Sequence, residues 1–199
     1  MSSSHLPPFS AHTDDFGWNQ RDRATLFQGD VLVQATPYSA WGCAVTAVMY
    51  LPLTRVLAWQ KLTDYSRWVQ YFPDITHSEV LHPREAQAYR QASSSFGDLE
   101  YKYLYQAATK ALLCLNVKVE VYLRVMEILH QRIQFQLEKG SFTDFVADVT
   151  LQDYAAGTLL TYAAQATPNI PVPAIFIQHT LNFELPTNMR KMRQVLCLP

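Results

Sequence analysis

Apolar and polar residues alternate along most of the middle of the chain, and this period of two is typical of β-strands with one buried face. The alternation is most regular over residues 116–126, where Val121 and Leu123 face one way and Glu120 and Arg124 face the other. The same pattern predicts six further strands, over residues 41–51, 75–81, 101–113, 132–138, 142–151 and 157–167. Because the connections between the later strands are short, we expect the sheet to be antiparallel.

Two other segments carry apolar residues three and four positions apart, which predicts helices. After the first strand, this spacing predicts two short helices with a bend at Thr63–Asp64, where short polar side chains can cap a new helix. Pro73 should end the second helix, since the residue before a proline resists helical geometry. At the C-terminal end, a broad apolar stripe predicts one long helix from Pro173 to Leu196, which Pro186 should kink or restart. A stripe this broad is typical of a helix that other elements largely surround.

The order of the predicted elements indicates the fold class. One strand, two short helices, about six strands and a long helix follow each other along the chain. This segregation of strands from helices predicts an α+β domain in which a curved antiparallel sheet wraps around the C-terminal helix. Residues up to about Gln28 are polar and show no sustained period. We therefore expect a flexible N-terminal tail over residues 1–34 and a single domain over residues 35–199.

Composition narrows the class of function. Hydrophobic residues make up 49% of the 199, and the 11 Tyr, 10 Phe and 4 Trp can line either an ordinary core or an apolar cavity. A net charge of −1 provides no basic field for nucleic acid and no polybasic membrane anchor. The three cysteines lie far apart, which suits a reducing compartment, and the sequence shows neither a signal peptide nor an apolar run of membrane-spanning length. We therefore expect a soluble cytoplasmic protein that binds no nucleic acid and has no integral membrane segment; transient membrane contact stays open.

The sequence offers no motif for catalysis or metal binding. The six histidines and three cysteines show no HxxxH or CxxC spacing, and there is no GxSxG motif and no glycine-rich phosphate loop. We therefore predict no catalytic residue, no metal site and no cofactor.

A few ionisable groups keep an enzymatic alternative open. Glu127 is in phase with the inward-facing apolar residues of its predicted strand. We interpret it as the end of that strand, because an unpaired buried carboxylate is costly. His179 lies on the predicted C-terminal helix, where we interpret it as a polar boundary residue. Tyr103, Tyr105 and Tyr162 would place their hydroxyls in a cavity or in solvent, depending on the register of the sheet.

Four segments, in order along residues 41–196, resemble the START-like (SRPBCC) helix-grip superfamily, which includes the polyketide cyclase/dehydrase group and the coenzyme Q-binding proteins. They are WQKLTDYSRWVQYFPDI at residues 59–75, RIQFQLEKGSFTDF at 132–145, GTLLTY at 157–162, and IPVP at 170–173 before the long helix. The resemblance implies a seven-stranded curved antiparallel sheet that grips the C-terminal helix, with two short helices after the first strand closing one end. It also implies a deep apolar cavity between sheet and helix, entered near the Phe72–Pro73 corner.

The leading hypothesis is therefore non-catalytic binding or carriage of a hydrophobic small molecule, such as a lipid or an isoprenoid quinone. The residues predicted to bind it are Trp59, Trp68, Phe72, Phe135, Phe145, Phe176, Thr180 and Phe183. One alternative is a polyketide cyclase or dehydratase, which would need an ionisable group inside the cavity. Another is a structural or assembly factor with a filled core. The sequence leaves the identity of the ligand and the oligomeric state open, because apolar alternation is the same for a filled core and a lined pocket.

Overall fold

The computed structural model describes residues 19–37, 39, 41–82, 85, 101–112, 115–170, 172 and 183–198. These residues form eight strands: β1 (Val31–Pro37), β2 (Cys43–Leu51), β3 (Ile75–Val80), β4 (Lys102–Leu112), β5 (Leu115–Ile128), β6 (Arg132–Gly140), β7 (Phe142–Tyr154) and β8 (Gly157–Pro168). They also form four α-helices and one 3₁₀ helix: α1 (Gln20–Phe27), α2 (Arg55–Leu62), the 3₁₀ helix (Tyr65–Arg67), α3 (Trp68–Tyr71) and α4 (Leu185–Cys197). The chain is thus α+β, as its pattern predicts.

All eight strands belong to one antiparallel sheet in the order β1-β2-β8-β7-β6-β5-β4-β3. The face of this sheet that carries Leu123, Ile133 and Val149 packs against α2, α3 and α4 and is called the inner face. The opposite face is called the outer face. On β5 the predicted alternation holds, because Val121, Leu123 and Val125 are buried while their neighbours are more exposed.

The prediction of seven strands was wrong by one, because β1 lies in a segment without a period of two. β1 pairs with β2 over seven residues, from Val31 opposite Met49 to Pro37 opposite Cys43. Val31 and Val33 pack into the core on the inner face, while Leu32 packs into a second cluster on the outer face. Apolar residues are therefore consecutive here, and consecutive apolar residues give no alternation to detect.

Helix α1 also lies within the range expected to be a tail. Asn19 accepts hydrogen bonds from the backbone N–H groups of Arg21 and Asp22, and Asp22 accepts one from the backbone N–H of Asn19. This reciprocal capping box satisfies N–H groups that a helix end leaves without partners. Leu26 of α1 is fully buried against the outer face, beside Tyr50. Asn19 and Asp22 were the available sequence signal, since α1 has too few apolar residues to show a helical stripe. Residues 1–18 lie outside the described residues.

The bend between the two short helices lies at Thr63–Asp64, as predicted. The cap does not form in the expected way. The Thr63 hydroxyl donates back to the carbonyl of Trp59 at 2.9 Å, and the Asp64 carboxylate accepts from the Ser66 hydroxyl, not from a backbone N–H. The corner is instead held by the Trp68 indole, whose N–H donates to the carbonyl of Leu62 at 2.9 Å.

Helix α4 packs on the inner face. Met189, Met192 and Leu196, which the apolar stripe placed together, are all fully buried in the core. Pro186 lies in the first turn of α4, where its missing N–H costs no hydrogen bond, so the helix starts here within the described residues. The first part of the predicted long helix, residues 173–182, lies outside the described residues.

Polar contacts fix the position of α4 against the start of β1. Arg190 forms an ion pair with Asp30, with 2.8 Å between Nε and Oδ1. Arg193 donates from Nε to the carbonyl of Tyr50 at 2.9 Å. A Cβ at Gly29 would lie only 2.8 Å from the Arg193 guanidinium, and Gly29 has φ of +90°, which other residues rarely adopt. The residues just before β1 are therefore part of the support for α4.

We predict that Leu26→Ala lowers the free energy of unfolding by about 2–4 kcal/mol, because it leaves a cavity under α1. Urea denaturation measures this loss. Arg23→Ala, on the exposed side of the same helix, is the matched control and should change the stability by less than about 0.5 kcal/mol. Equal stability of Leu26→Ala and the wild type would show that α1 does not dock on the sheet.

Candidate functional site

A cavity of about 300 Å³ lies between the inner face of the sheet, α3 and the start of α4. Twelve of its 16 described lining residues are apolar. Val121 and Leu123 of β5, Phe135 of β6 and Ala147 of β7 form its wall, because each occupies an inward position of its strand. The strand alternation that builds the core thus also builds the cavity wall.

The cavity stays open because small residues occupy inward positions. Ala147 is opposite Phe135 of β6 on one side and Ala164 of β8 on the other, and it is 2% exposed. Ala108 of β4 is opposite Val119 of β5 nearer the α3–β3 corner. Toward the other end of the sheet, larger inward residues such as Ile133 are fully buried and fill the same layer.

Aromatic rings surround the cavity. The Trp68 ring lies 5.1 Å from the Phe135 ring and 5.8 Å from the Phe72 ring, measured between centroids. The Phe72 ring in turn lies 6.5 Å from that of Tyr162 on β8. The cavity extends to the corner between α3 and β3, because Asp74 and Ile75 also line it. This is the corner where the sequence resemblance places the entrance.

Three solved structures show which fold this is. A STAR-related lipid transfer protein fragment from Xanthomonas axonopodis matches with a TM-score of 0.60 and 15% identity, covering 85% of this chain and 94% of that one. A START superfamily protein from Mycobacterium smegmatis matches with a TM-score of 0.53 and 13% identity, covering 84% and 97%. An aromatase/cyclase from a Streptomyces species matches with a TM-score of 0.56 and 10% identity, covering 83% and 94%.

The chain has the START-like helix-grip fold. This confirms the fold that the resemblance of the four sequence segments implies. No family model matches the sequence, and no curated protein matches it. At identities of 15% or less, the likeness to these solved structures concerns the fold.

The START-like fold brings four of the eight predicted ligand-binding residues together. Trp68, Phe72, Phe135 and Phe145 all line the cavity. Trp59 is buried elsewhere, with its ring 6.0 Å from that of His130 in the turn after β5. Phe183, just before α4, is 64% exposed and is not among the described lining residues. Phe176 and Thr180 lie outside the described residues.

Two aromatic lining residues are missing from the predicted ligand-binding set: Phe142, and Tyr162, whose hydroxyl the sequence placed either in a cavity or in solvent. A register shift between Phe142 and Asp144 places Phe142 and Phe145 on the same face although they are three residues apart. A period of two assigns these residues to opposite faces, so only the bulge explains their contact at 5.7 Å between ring centroids. Tyr162 is in phase with Leu160, and that phase was the available signal.

The prediction that Glu127 ends its strand was wrong, because β5 continues to Ile128. Its carboxylate is instead paired: Oε1 accepts from the Tyr65 hydroxyl at 2.6 Å and from Nζ of Lys102 at 2.7 Å. Burial, followed by the hydrogen bond to Glu127, raises the pKa of Tyr65 far above its usual range. Glu127 is not among the described residues that line the cavity. Its hydrogen bond with Tyr65 joins the 3₁₀ helix to β5, so its role is structural.

The register also separates the three tyrosines. Tyr105 is on the outer face, where its hydroxyl donates to Glu120 Oε1 at 2.5 Å. Tyr103 is opposite Arg124 on the same face. Tyr162 lines the cavity, and burial, with a smaller contribution from Cys43, raises its pKa to about 12. His179 lies outside the described residues.

Two further findings concern metals and membranes. Within the described ranges, no three His, Cys, Asp or Glu side chains come close enough together to hold a metal ion. In the same part of the chain, no helix has the length and hydropathy needed to cross a membrane.

We predict that Tyr65→Phe lowers the free energy of unfolding by about 1.5–3 kcal/mol, because it removes a buried hydrogen bond to a charged group. Chemical denaturation measures the loss. Tyr105→Phe removes the equivalent hydroxyl–carboxylate contact from the exposed outer face and should cost clearly less. Equal losses in the two variants would contradict a buried structural role for the Tyr65–Glu127 pair.

Proposed function

We propose that this chain binds a hydrophobic small molecule in the cavity between the sheet and α4, and that it holds or carries this molecule without transforming it. The observation that carries the proposal is the size and lining of the cavity. Protein interiors are normally close-packed, with few voids larger than a water molecule. A space of about 300 Å³ with a largely apolar lining is therefore a feature that a filled core does not have.

The volume of the cavity also favours a compact ligand. Small-molecule sites commonly range from about 300 to 1,000 Å³, so this cavity is at the lower end. It suits a compact ring system or a single acyl chain. A long isoprenoid quinone or a lipid with two chains would leave part of its length outside. Burial of the enclosed part stabilises the complex by about 25 cal/mol per Å² of apolar area.

The neighbouring structures support a hydrophobic ligand. One of them is a lipid transfer protein and another is an aromatase/cyclase. Both descriptions fit the same physical requirement, an apolar interior that a small molecule can enter. We extend that requirement to this chain because its own cavity, between the sheet and the C-terminal helix, has a largely apolar lining.

Tyr162 and Glu127, two ionisable groups that the sequence offered for catalysis, favour binding over proton transfer. An efficient general base has a pKa near the working pH. Burial raises the pKa of Tyr162 to about 12, so its hydroxyl stays protonated at neutral pH. Glu127, the carboxylate with the strongest claim from sequence, is paired with Tyr65 and Lys102 instead.

We predict that Ala147→Phe reduces the affinity for apolar ligands at least tenfold, because the new ring occupies the cavity. Quenching of tryptophan fluorescence reports the binding, since Trp68 lines the cavity. The control is Ala163→Phe, which adds the same ring on the opposite face of β8, opposite Asp148, and should leave the affinity unchanged.

Thermal unfolding of both variants shows whether they remain folded. If Ala147→Phe does not fold, Ala108→Leu fills the cavity nearer the α3–β3 corner and should weaken binding in the same way. Full affinity in a folded Ala147→Phe protein would place the ligand elsewhere and refute the proposal.

A further inference from the structure

Four polar residues interrupt the apolar lining of the cavity: Asp74, Gln106, Tyr162 and Asn188. Gln106 is engaged, because its side-chain amide donates to the Ser78 hydroxyl at 3.2 Å. Asp74 lies at the α3–β3 corner, where its backbone carbonyl accepts from Thr109. Asn188 lies on α4, and its side-chain amide can both donate and accept. Tyr162 and Gln106 are the two polar lining residues that the sheet contributes among the described residues, and Gln106 is engaged with Ser78.

Tyr162 lines the cavity from β8. On β8, Tyr162 is opposite Ala47 of β2 and Val149 of β7, both of which are fully buried. Tyr162 itself is only half-buried, although it lies deep in the fold. Its remaining exposure therefore comes from the cavity that it lines. Among the described residues, none forms a hydrogen bond with its hydroxyl, and this hydroxyl is not one of the fully buried side-chain atoms without a partner, so it retains access to the cavity.

When an apolar ligand fills the cavity, the hydroxyl loses its access to water, and a hydroxyl left without a partner is unfavourable. A ligand that offers an acceptor removes this penalty. Burial raises the pKa of Tyr162 to about 12, so the group is a neutral phenol and a hydrogen-bond donor at physiological pH. An apolar ligand without an oxygen would leave that donor unpaired. A ligand with a suitably placed oxygen would satisfy it.

The charges of the lining residues narrow the chemical class of the ligand further. The described lining residues include no Lys, Arg or His, and they include the acidic Asp74. Among the described lining residues, a carboxylate or phosphate bound here would meet no opposite charge, and an uncompensated buried charge is far more costly than a neutral polar group. The oxygen that meets Tyr162 is therefore a neutral acceptor.

We infer that the Tyr162 hydroxyl donates a hydrogen bond to a neutral oxygen of the bound ligand, so that the cavity selects compact apolar molecules with a carbonyl over hydrocarbons of the same shape. This inference rests on the proposed function, because it concerns the same cavity. It adds a specificity-determining residue and a chemical class of ligand.

Fluorenone and fluorene test the inference, because they share a ring system and differ by a carbonyl in place of a methylene group. The dissociation constants of both are measured for the wild type, Tyr162→Phe and the control Tyr154→Phe by tryptophan fluorescence. The ratio of the fluorene to the fluorenone dissociation constant should fall about 3- to 10-fold in Tyr162→Phe, which is the range for one neutral hydrogen bond. It should not change in Tyr154→Phe, whose ring packs against Phe27 on the outer face. The wild-type ratio should also stay constant from pH 6 to pH 9, because the phenol remains protonated.

The outcomes separate this inference from the proposed function. If both ligands bind and the ratio is the same in wild type and Tyr162→Phe, the hydroxyl does not bind the oxygen and the proposed function stands. If the wild type binds neither ligand, both are overturned. If Tyr162→Phe does not fold, infrared spectroscopy of fluorenone bound to the wild type decides. A carbonyl band at lower wavenumber than in an apolar solvent supports the hydrogen bond, and an unshifted band overturns it.

Discussion

The fold depends on how the inward side chains of the sheet fill the distance to α4. A sheet and a helix pack stably only when the side chains between them reach close-packed density. Ile133 and Leu104 achieve this at one end, together with Met189 and Met192 from the helix. Nearer the α3–β3 corner the inward residues include alanines, and the same two layers enclose a cavity. One end of the interior therefore stabilises the domain while the other keeps room for a ligand.

Contacts around the edge of the domain keep the helices at a fixed distance from the sheet. Leu26 of α1 covers the outer face of β2 and β8, and the Asp30–Arg190 ion pair ties the start of β1 to α4. At the other side of the sheet, Tyr65 and Glu127 join the 3₁₀ helix to β5. Because the Trp68 ring lies 6.2 Å from that of Tyr65, this pair also positions one wall of the cavity. A helix held at several points does not collapse onto the small residues beneath it.

The sequence predicts the layers of this fold better than it predicts the contents of the interior. Alternation on β5 and β6 identifies the inner face, because Leu123 and Ile133 have few ways to be buried other than against the helices. Alternation does not identify β1, since its apolar residues contact clusters on both faces of the sheet. Alternation assigns Phe142 to the wrong face, because a bulge reverses the side on which it lies. The pairing of Glu127 is not predictable from local sequence, because its partners, Tyr65 and Lys102, are distant in sequence. Phe135 lines the cavity while Ile133, two residues earlier, lies in filled core, and no pattern of apolar residues distinguishes the two.

The proposed function requires that the cavity hold a compact apolar molecule in the living cell. Organic extraction of the protein purified gently from its native host, followed by mass spectrometry, identifies such a molecule. We expect one neutral, oxygen-containing apolar compound in near-equal proportion to the protein, and much less of it from the Ala147→Phe variant. An extract without any such compound, or with the same amount from both proteins, would refute carriage of a ligand in this cavity.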